Sequence, residues 1–537
     1  DTERSPTAAA AAANGGHPLD PPAASAEAAE AAAVTVADVV ALLDDEAATA
    51  AVPEPFRQAL KAFYGGPAGT VLWRDAVRQR GLIERLARAE DDGLLPSHYP
   101  LSELVTWLQV GEGGPAPGPA ALREVAFGAA FLSYASDLKF GRRPPLGLPA
   151  EQGLPTGTID GGVVLAALAA APDLGTFLAA WAPHNPEYRA LRDRLAEYRR
   201  IAATGAWPVV AAGETLRSGM RGSRVATLRA RLEASGDLAD VSGDPELFDP
   251  ALTAAVERFQ RRHGLDVDGV VGRATLAALN VPITDRIQQI ILNMERWRWL
   301  PDDLGGRHVR VNIAGFELAM VEDGAVVDRM AVVVGRPYRQ TPVFSDHIRY
   351  LELHPYWSVP FKLAGEDELP KIQRDPSILD QRGFEVFLGN QKVDPATIDW
   401  WRYNRRTFPF TLRQKPGPDN ALGRIKFMFP NEFDVYLHDT PARALFDRTE
   451  RAFSSGCIRI ERPFDLAVWL LRDTPRWDAE RLEARLAAGR NQRIDLARPV
   501  AIHLIYATAW SGEDGTVHFR PDIYDRDKRL SQALFGS

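Results

Sequence analysis

The hydrophobic period of the chain changes once, and that change limits its fold more than any other feature. As far as about residue 300, apolar residues recur at spacings of three and four, as in Val225, Leu228 and Leu232 or Leu252, Val256 and Phe259. That spacing puts side chains on one face of a helix. From Arg307 the period is two. Val309, Val311 and Ile313 alternate with polar residues, Met330, Val332 and Val334 repeat the habit, and Val435 with Leu437, then Ile502, Leu504 and Tyr506, carry it onward. A helical part followed by a β-rich part predicts a multidomain α+β protein. At 537 residues three or four domains are expected, and 45% apolar with 9% aromatic residues is enough for several packed cores.

Local composition divides the chain further. Residues 1–33 are rich in Ala, Pro, Glu and Ser and hold no large apolar residue except Leu19, so they read as a disordered leader or spacer. Residues 34–210 read as a helical scaffold. Leu82, Leu86 and Ala89 share one face, Leu174, Leu178, Trp181, Leu191, Leu195 and Tyr198 recur at helical spacing, and Gly and Pro clusters at 111–119 and 141–155 read as loops. Asp91-Asp92-Gly93-Leu94 lacks the spaced oxygen ligands of a calcium loop and reads as a loop closing a helix. Residues 211–282 predict a compact three-helix module, with Asp249 capping a helix that has Pro250 at its first position and a tight turn over Asp268-Gly269-Val270-Val271-Gly272. A connecting helix at 283–304, with Trp297 and Trp299 near its end, leads into a β-rich domain at 305–510, followed by a C-terminal extension at 511–537. Inside the β-rich domain, residues 364–422 are long, charged and aromatic (Trp400, Trp401, Tyr403, Phe408 and Phe410), as functional insertions commonly are.

Several classes of function are disfavoured. A formal charge of −8 without a basic tract argues against nucleic acid or an anionic membrane as partner. A single cysteine excludes an internal disulfide and a multi-cysteine zinc site, no His-Glu-x-x-His occurs, and neither a metal nor a cofactor is expected. No basic-then-apolar leader and no apolar run near 18 residues is present, so any export signal or anchor is expected to have been removed or never present.

The cysteine itself is the strongest chemical signal. Cys457 lies in Ser454-Ser455-Gly456-Cys457-Ile458-Arg459, nineteen positions after His438, which closes an apparent strand running from Phe433. A thiol of pKa ~8.5 is only a few per cent thiolate at neutral pH, so a working nucleophile needs a histidine to take its proton, and an adjacent glycine lets substrate reach the backbone. The histidine precedes the cysteine, the reverse of the papain-like order.

His438-Asp439-Thr440-Pro441 and the run Phe453 to Arg459 resemble the active-site signature of the L,D-transpeptidases, cysteine enzymes that cross-link bacterial peptidoglycan. Ala255-Val256-Glu257-Arg258-Phe259-Gln260, His263-Gly264-Leu265 and Asp268 to Gly272 resemble the peptidoglycan-binding-domain family. A helical region, such a module and a cysteine domain occur in this order in the large multidomain L,D-transpeptidases. The resemblance implies attack by Cys457 on the stem tetrapeptide, release of D-Ala and transfer of the acyl group to an amine acceptor, giving 3-3 cross-links. His438 would be base and acid, oriented by the backbone carbonyl of Asp439, and the N–H groups of Gly456 and Cys457 would receive the oxyanion. Arg459, Ser455, Tyr436 and Trp357 are the implied substrate contacts. Arg459 has an ion pair with Glu461 or Asp465 as its alternative, and Ser455 stands where many relatives have histidine. Residues 364–422 would form a capping lid. Peptidoglycan stem peptides are the implied partners, other cell-wall enzymes possible ones, and the periplasm or cell envelope the implied location. An L,D-carboxypeptidase and a non-catalytic cell-wall scaffold are the alternatives.

Overall fold

The structure is a computed structural model that describes residues 34–109, 117–142, 154, 157–205, 207–239 and 242–536. The expected leader and most of both expected Gly/Pro loops lie outside the described residues. The chain forms two compact units. The first comprises residues 1–83, 100–131 and 161–171, and among its described residues it is helical, with helices that include Val36–Asp44, Glu54–Tyr64 and Gly161–Ala170. Thr35 and Asp38 form a capping box at the first helix. Deeper in, Glu124 is buried and accepts hydrogen bonds from the Tyr64 hydroxyl at 2.6 Å and the Trp73 N–H at 2.9 Å. These bonds supply what a carboxylate loses on leaving water.

The second unit holds everything that builds the site. The expected module is present as three helices, Ser223–Ala234, Pro250–His263 and Arg273–Leu279. Asp249 caps the second helix by accepting from the Leu252 N–H at 2.7 Å, and Gly269 takes the positive φ (67°) that the tight turn requires. Gln260 reaches across to this turn, donating to Asp268 at 2.7 Å and accepting from the Gly269 N–H at 2.9 Å, so this part of the motif holds the module's shape. Asp92, in the fragment read as a helix-closing loop, accepts from the Tyr134 hydroxyl at 2.8 Å and pairs with Arg85. The connecting helix spans Ile283–Trp297 and is capped at Arg298, which turns its guanidinium back to Glu295 at 3.2 Å.

Fifteen strands follow. They are β1 (Arg307–Asn312), β2 (Glu317–Glu322), β3 (Ala325–Gly335), β4 (Phe344–Leu353), β5 (Trp357–Ser358), β6 (Phe384–Leu388), β7 (Gln391–Val393), β8 (Phe410–Gln414), β9 (Ile425–Met428), β10 (Leu437–His438), β11 (Ala452–Ser454), β12 (Ile458–Ile460), β13 (Gln492–Ile505), β14 (Ala509–Ser511) and β15 (Val517–Phe519). The main sheet runs β11-β3-β12-β10-β9-β4-β13-β1-β2, and β2 pairs again with β3, closing the sheet on itself. Closure removes the free edge that β2 would otherwise present, and among the described residues only the short β11 is left paired on one side. Alternation sorts the side chains. Leu351, Phe427, Leu437 and Ile458 are in register on four neighbouring strands and lie in the buried core with Leu466 and Leu470 of the helix Pro463–Leu471. The adjoining row on the opposite face is polar: Glu352, Lys426, His438 and Arg459. Burying such an apolar row stabilises by ~1.5–3 kcal/mol per side chain, and it fixes the register that aligns the polar row.

Two expectations are corrected. The strand expected from Phe433 to His438 is only Leu437–His438, because Asn431 organises the preceding residues as a turn: its carboxamide oxygen accepts from the Phe433 N–H at 3.0 Å, its nitrogen donates to the Val435 carbonyl at 2.8 Å, and Asp434 adopts φ 53°. The residues read as a C-terminal extension are integral. β14 and β15 pair across the expected boundary, and Val517 and Phe519 share a core with Trp207, Ile290 and Trp297.

Between β4 and β9 the chain builds a separate lobe around the sheet β5-β8-β6-β7. Its aromatics mostly form its own core. Trp400, Phe408 and Phe410 are buried together, whereas Trp401 is 72% exposed.

Candidate active site

A cleft of about 750 Å³ opens between the polar row of the main sheet and the lobe. Seven of the eight expected site residues line it: Trp357, Tyr436, His438, Ser455, Gly456, Cys457 and Arg459. The eighth, Asp439, contributes from behind. β10 and β12 are parallel neighbours with Leu437 opposite Ile458 and His438 opposite Arg459. Tyr436 and Cys457 each precede their partner by two, so all four side chains fall on the cleft face and the cysteine is diagonal to the histidine.

His438 is buried, and its Nδ1 donates to the Asp439 carbonyl at 2.6 Å. A carbonyl only accepts, so Nδ1 carries the proton and Nε2 presents a lone pair. Burial, then the nearby Arg459, lowers the His438 pKa to about 3, so the ring is neutral at ordinary pH. The Asp439 carboxylate is turned elsewhere, accepting from the Arg424 N–H at 2.8 Å and the Thr440 N–H at 2.7 Å. It fits there because residue 423 is glycine: a Cβ at Gly423 would stand 2.4 Å from that carboxylate.

Burial raises the pKa of the Cys457 thiol, opposed by hydrogen bonds from Tyr436 and by the charges of Lys426 and Arg459. The thiol donates to the Asp434 carbonyl at 3.8 Å, a carbonyl that the Asn431 turn delivers. Gly456 has φ 121°, a conformation open to glycine and strained for other residues, and its carbonyl accepts from the Thr341 hydroxyl at 2.8 Å. The Gly456 N–H, expected to face an oxyanion, points instead at Ser454 Oγ at 3.2 Å. The Cys457 N–H has no acceptor among the described residues.

Arg459 makes neither of the ion pairs that are the alternative to a substrate contact. Glu461 accepts from the Ala331 N–H at 3.0 Å, Asp465 pairs with Arg462 at 2.9 Å, and the Nε of Arg459 has no partner among the described residues. Arg336 lies near enough to lower the Arg459 pKa further, after burial. Ser455 is exposed and receives a hydrogen bond from Arg339 at 3.1 Å. Arg339 also grips Glu366 and Asp367 at the base of the lobe, so one guanidinium ties the residue before Gly456 to the lobe. Lys426, Arg339, Thr341 and Asn431 are the residues that motif reading misses. Asn431 has a local signal, the Asn and Asp of a turn, whereas the others are placed by tertiary contacts.

Several stretches of the chain are similar to known proteins. Residues 306–477 match the family described as L,D-transpeptidase catalytic domain, residues 58–195 the scaffold domain, and residues 221–279 the "Putative peptidoglycan binding domain". Within a multidomain α+β architecture, residues 306–477 are thus similar to an L,D-transpeptidase catalytic domain. Among curated proteins, it is 37% identical over 248 residues to the "Putative L,D-transpeptidase" of Haemophilus influenzae, covering 46% of this chain and 49% of that protein. A shorter stretch of 75 residues is 44% identical to N-acetylmuramoyl-L-alanine amidase CwlM of Mycobacterium tuberculosis, covering 12% of this chain and 18% of that one. The chain therefore spans about half the length of the first relative (49%) and less of the second (18%). Among solved structures, the L,D-transpeptidase from Xylanimonas cellulosilytica aligns at 18% identity with a TM-score of 0.19, covering 55% of this chain and 99% of that one. No helix among the described residues is long and apolar enough to cross a membrane.

Proposed function

We propose that this protein is an L,D-transpeptidase of the cell envelope, acting in the periplasm on peptidoglycan stem peptides with Cys457 as nucleophile. The observation that carries the reading is the placement of Cys457 and a neutral His438 on one cleft face, the histidine held by the Asp439 carbonyl and its Nε2 without a hydrogen-bond partner among the described residues. His438 takes the thiol proton as sulfur attacks the carbonyl between the third and fourth residues of a tetrapeptide, forming a C–S bond. The C–N bond then breaks, and D-Ala leaves as an amine that carries the proton returned by His438. An acceptor amine attacks the thioester, the new C–N bond replaces C–S, and the thiol is restored. Because the resting pair is a thiol beside a neutral imidazole, proton transfer accompanies attack and no ion pair exists beforehand.

The Cys457 N–H is the backbone donor open to the oxyanion, a role in which one donor can be worth ~3 kcal/mol. Arg459, which among the described residues has no partner at Nε and no paired carboxylate, is suited to a stem carboxylate, which guanidinium meets with two parallel bonds. Tyr436 and Trp357 wall the cleft, the lobe caps it, and the module at 221–279 holds the enzyme on the polymer.

The test is Cys457→Ala and Cys457→Ser with purified tetrapeptide muropeptides, products read by mass spectrometry. Both variants should fold and lose acyl transfer, and wild-type protein should gain the mass of an opened carbapenem on Cys457. Appreciable turnover by either variant removes the nucleophile. Tripeptide without cross-linked product from the wild type would make the enzyme a carboxypeptidase.

A further inference from the structure

The reaction scheme leaves Lys426 without a task. It stands on β9 between Glu352 of β4 and His438 of β10, in the polar row that continues to Arg459. Its ammonium lies 4.1 Å from the centroid of the Tyr436 ring and 3.8 Å from the Glu352 carboxylate. A lysine on an open surface hydrates its ammonium, but this side chain is only 15% exposed. Its carboxylate neighbour sits beyond hydrogen-bond distance, so its charge is only partly balanced where it stands, against the ring of Tyr436, the residue opposite Cys457 on the neighbouring strand.

We propose that Lys426 is a positioning residue for the thiolate: a fixed cation, seated under Tyr436, that stabilises Cys457 in its ionised form with a strength set by Glu352. The groups facing the sulfur are Tyr436 and His438 along β10, Asp434 from the preceding turn, Arg459 on β12 and Lys426 on β9. Those facing Lys426 are Glu352, Asp434, Tyr436, His438 and Cys457. The same cation disfavours a charged imidazole at His438. Lys426 therefore stabilises the charge that develops on sulfur as His438 takes its proton, and does not stabilise the imidazolium.

Cys457 is the only cysteine in the 537 residues, so its alkylation by iodoacetamide, followed by intact mass from about pH 7 to about pH 11, reports this thiol alone. The readout is the midpoint of the profile, because intrinsic nucleophilicity rises with pKa and blurs rates at a single pH. Lys426→Met should raise the midpoint by about one unit or more, Lys426→Arg should hold it near wild type, and Glu352→Gln should lower it. An unchanged midpoint in Lys426→Met with a native near-ultraviolet circular dichroism spectrum overturns the proposal. So does Glu352→Gln moving the midpoint upward, which decides the matter if the methionine variant fails to fold. The role in catalysis rests on Cys457 being the nucleophile. Retained acyl transfer by Cys457→Ala would remove that role while leaving the ionisation result standing.

Discussion

Arg339 is where the lobe and the nucleophile loop share one side chain, and its loss has a calculable effect. Its guanidinium meets Asp367 with both terminal nitrogens, one of them at 2.9 Å, meets Glu366 at 2.9 Å and reaches Ser455 at 3.1 Å, while only 10% of the side chain is exposed. Exposed pairs contribute ~0.2–1 kcal/mol each, and bidentate, partly buried geometry lies above that range. Truncation to Ala leaves two carboxylates that are 29% and 34% exposed and can rehydrate, so the penalty for an unpaired buried charge is not incurred. The two pairs together give about 2 kcal/mol.

For Arg339→Ala, amide hydrogen exchange over Ala364–Glu368 and Leu369–Arg374 should therefore quicken about thirtyfold, at tenfold per 1.4 kcal/mol, with the main-sheet strands unchanged. A double-mutant cycle with Asp367→Asn should return ~1–2 kcal/mol of coupling. Arg339 holds the Asp367 carboxyl below its usual range. A lowered carboxyl contributes stability above its unfolded pKa of ~3.9 and loses it as pH falls through the folded value, so the exchange difference should be constant from about pH 5 to about pH 8. In turnover, a loosened lobe admits water to the thioester, and the ratio of hydrolysis to transfer should rise. Unaltered exchange in both helical segments, or coupling below about 0.3 kcal/mol, would refute the reasoning.

Two further outcomes are expected. Burial lowers the pKa of His438 to about 3 and that of His503 to about 4; such groups bind protons more readily unfolded, so stability is complete above ~6.5 and declines as pH falls below it, by ~2 kcal/mol per histidine at pH ~5, and a melting temperature flat from about pH 7 to about pH 5 would contradict this. Asp237 and Arg262 pair in a buried site where Arg262 also donates to the Val517 carbonyl at 3.2 Å, joining the three-helix module to β15; Arg262→Ala strands a buried carboxylate and should cost ~3–5 kcal/mol by calorimetry, whereas an unchanged transition would mean that the module is only loosely seated.

What the sequence discloses about this site follows from how far each interaction reaches along the chain. Alternation is local, so Val309, Val311 and Ile313 announce β1 directly, and the residues around Cys457 carry a recognisable signature because strand, glycine and nucleophile are contiguous. The His438 to Asp439 carbonyl bond spans one residue, and the resemblance anticipates it. The short β10 departs from expectation for a reason equally local, since Asn431 and Asp434 offer a turn that competes with extension. Lys426 is different. Nothing near it in sequence marks it, because its meaning depends on β9 lying between β4 and β10, and a register shifted by one residue would bring Phe427 to the cleft and turn Lys426 into the core. The buried row of Leu351, Phe427, Leu437 and Ile458 forbids that shift. Hydrophobic packing on one face thus selects which charges meet on the other, and the electrostatics of the thiol depend on core residues that never touch it.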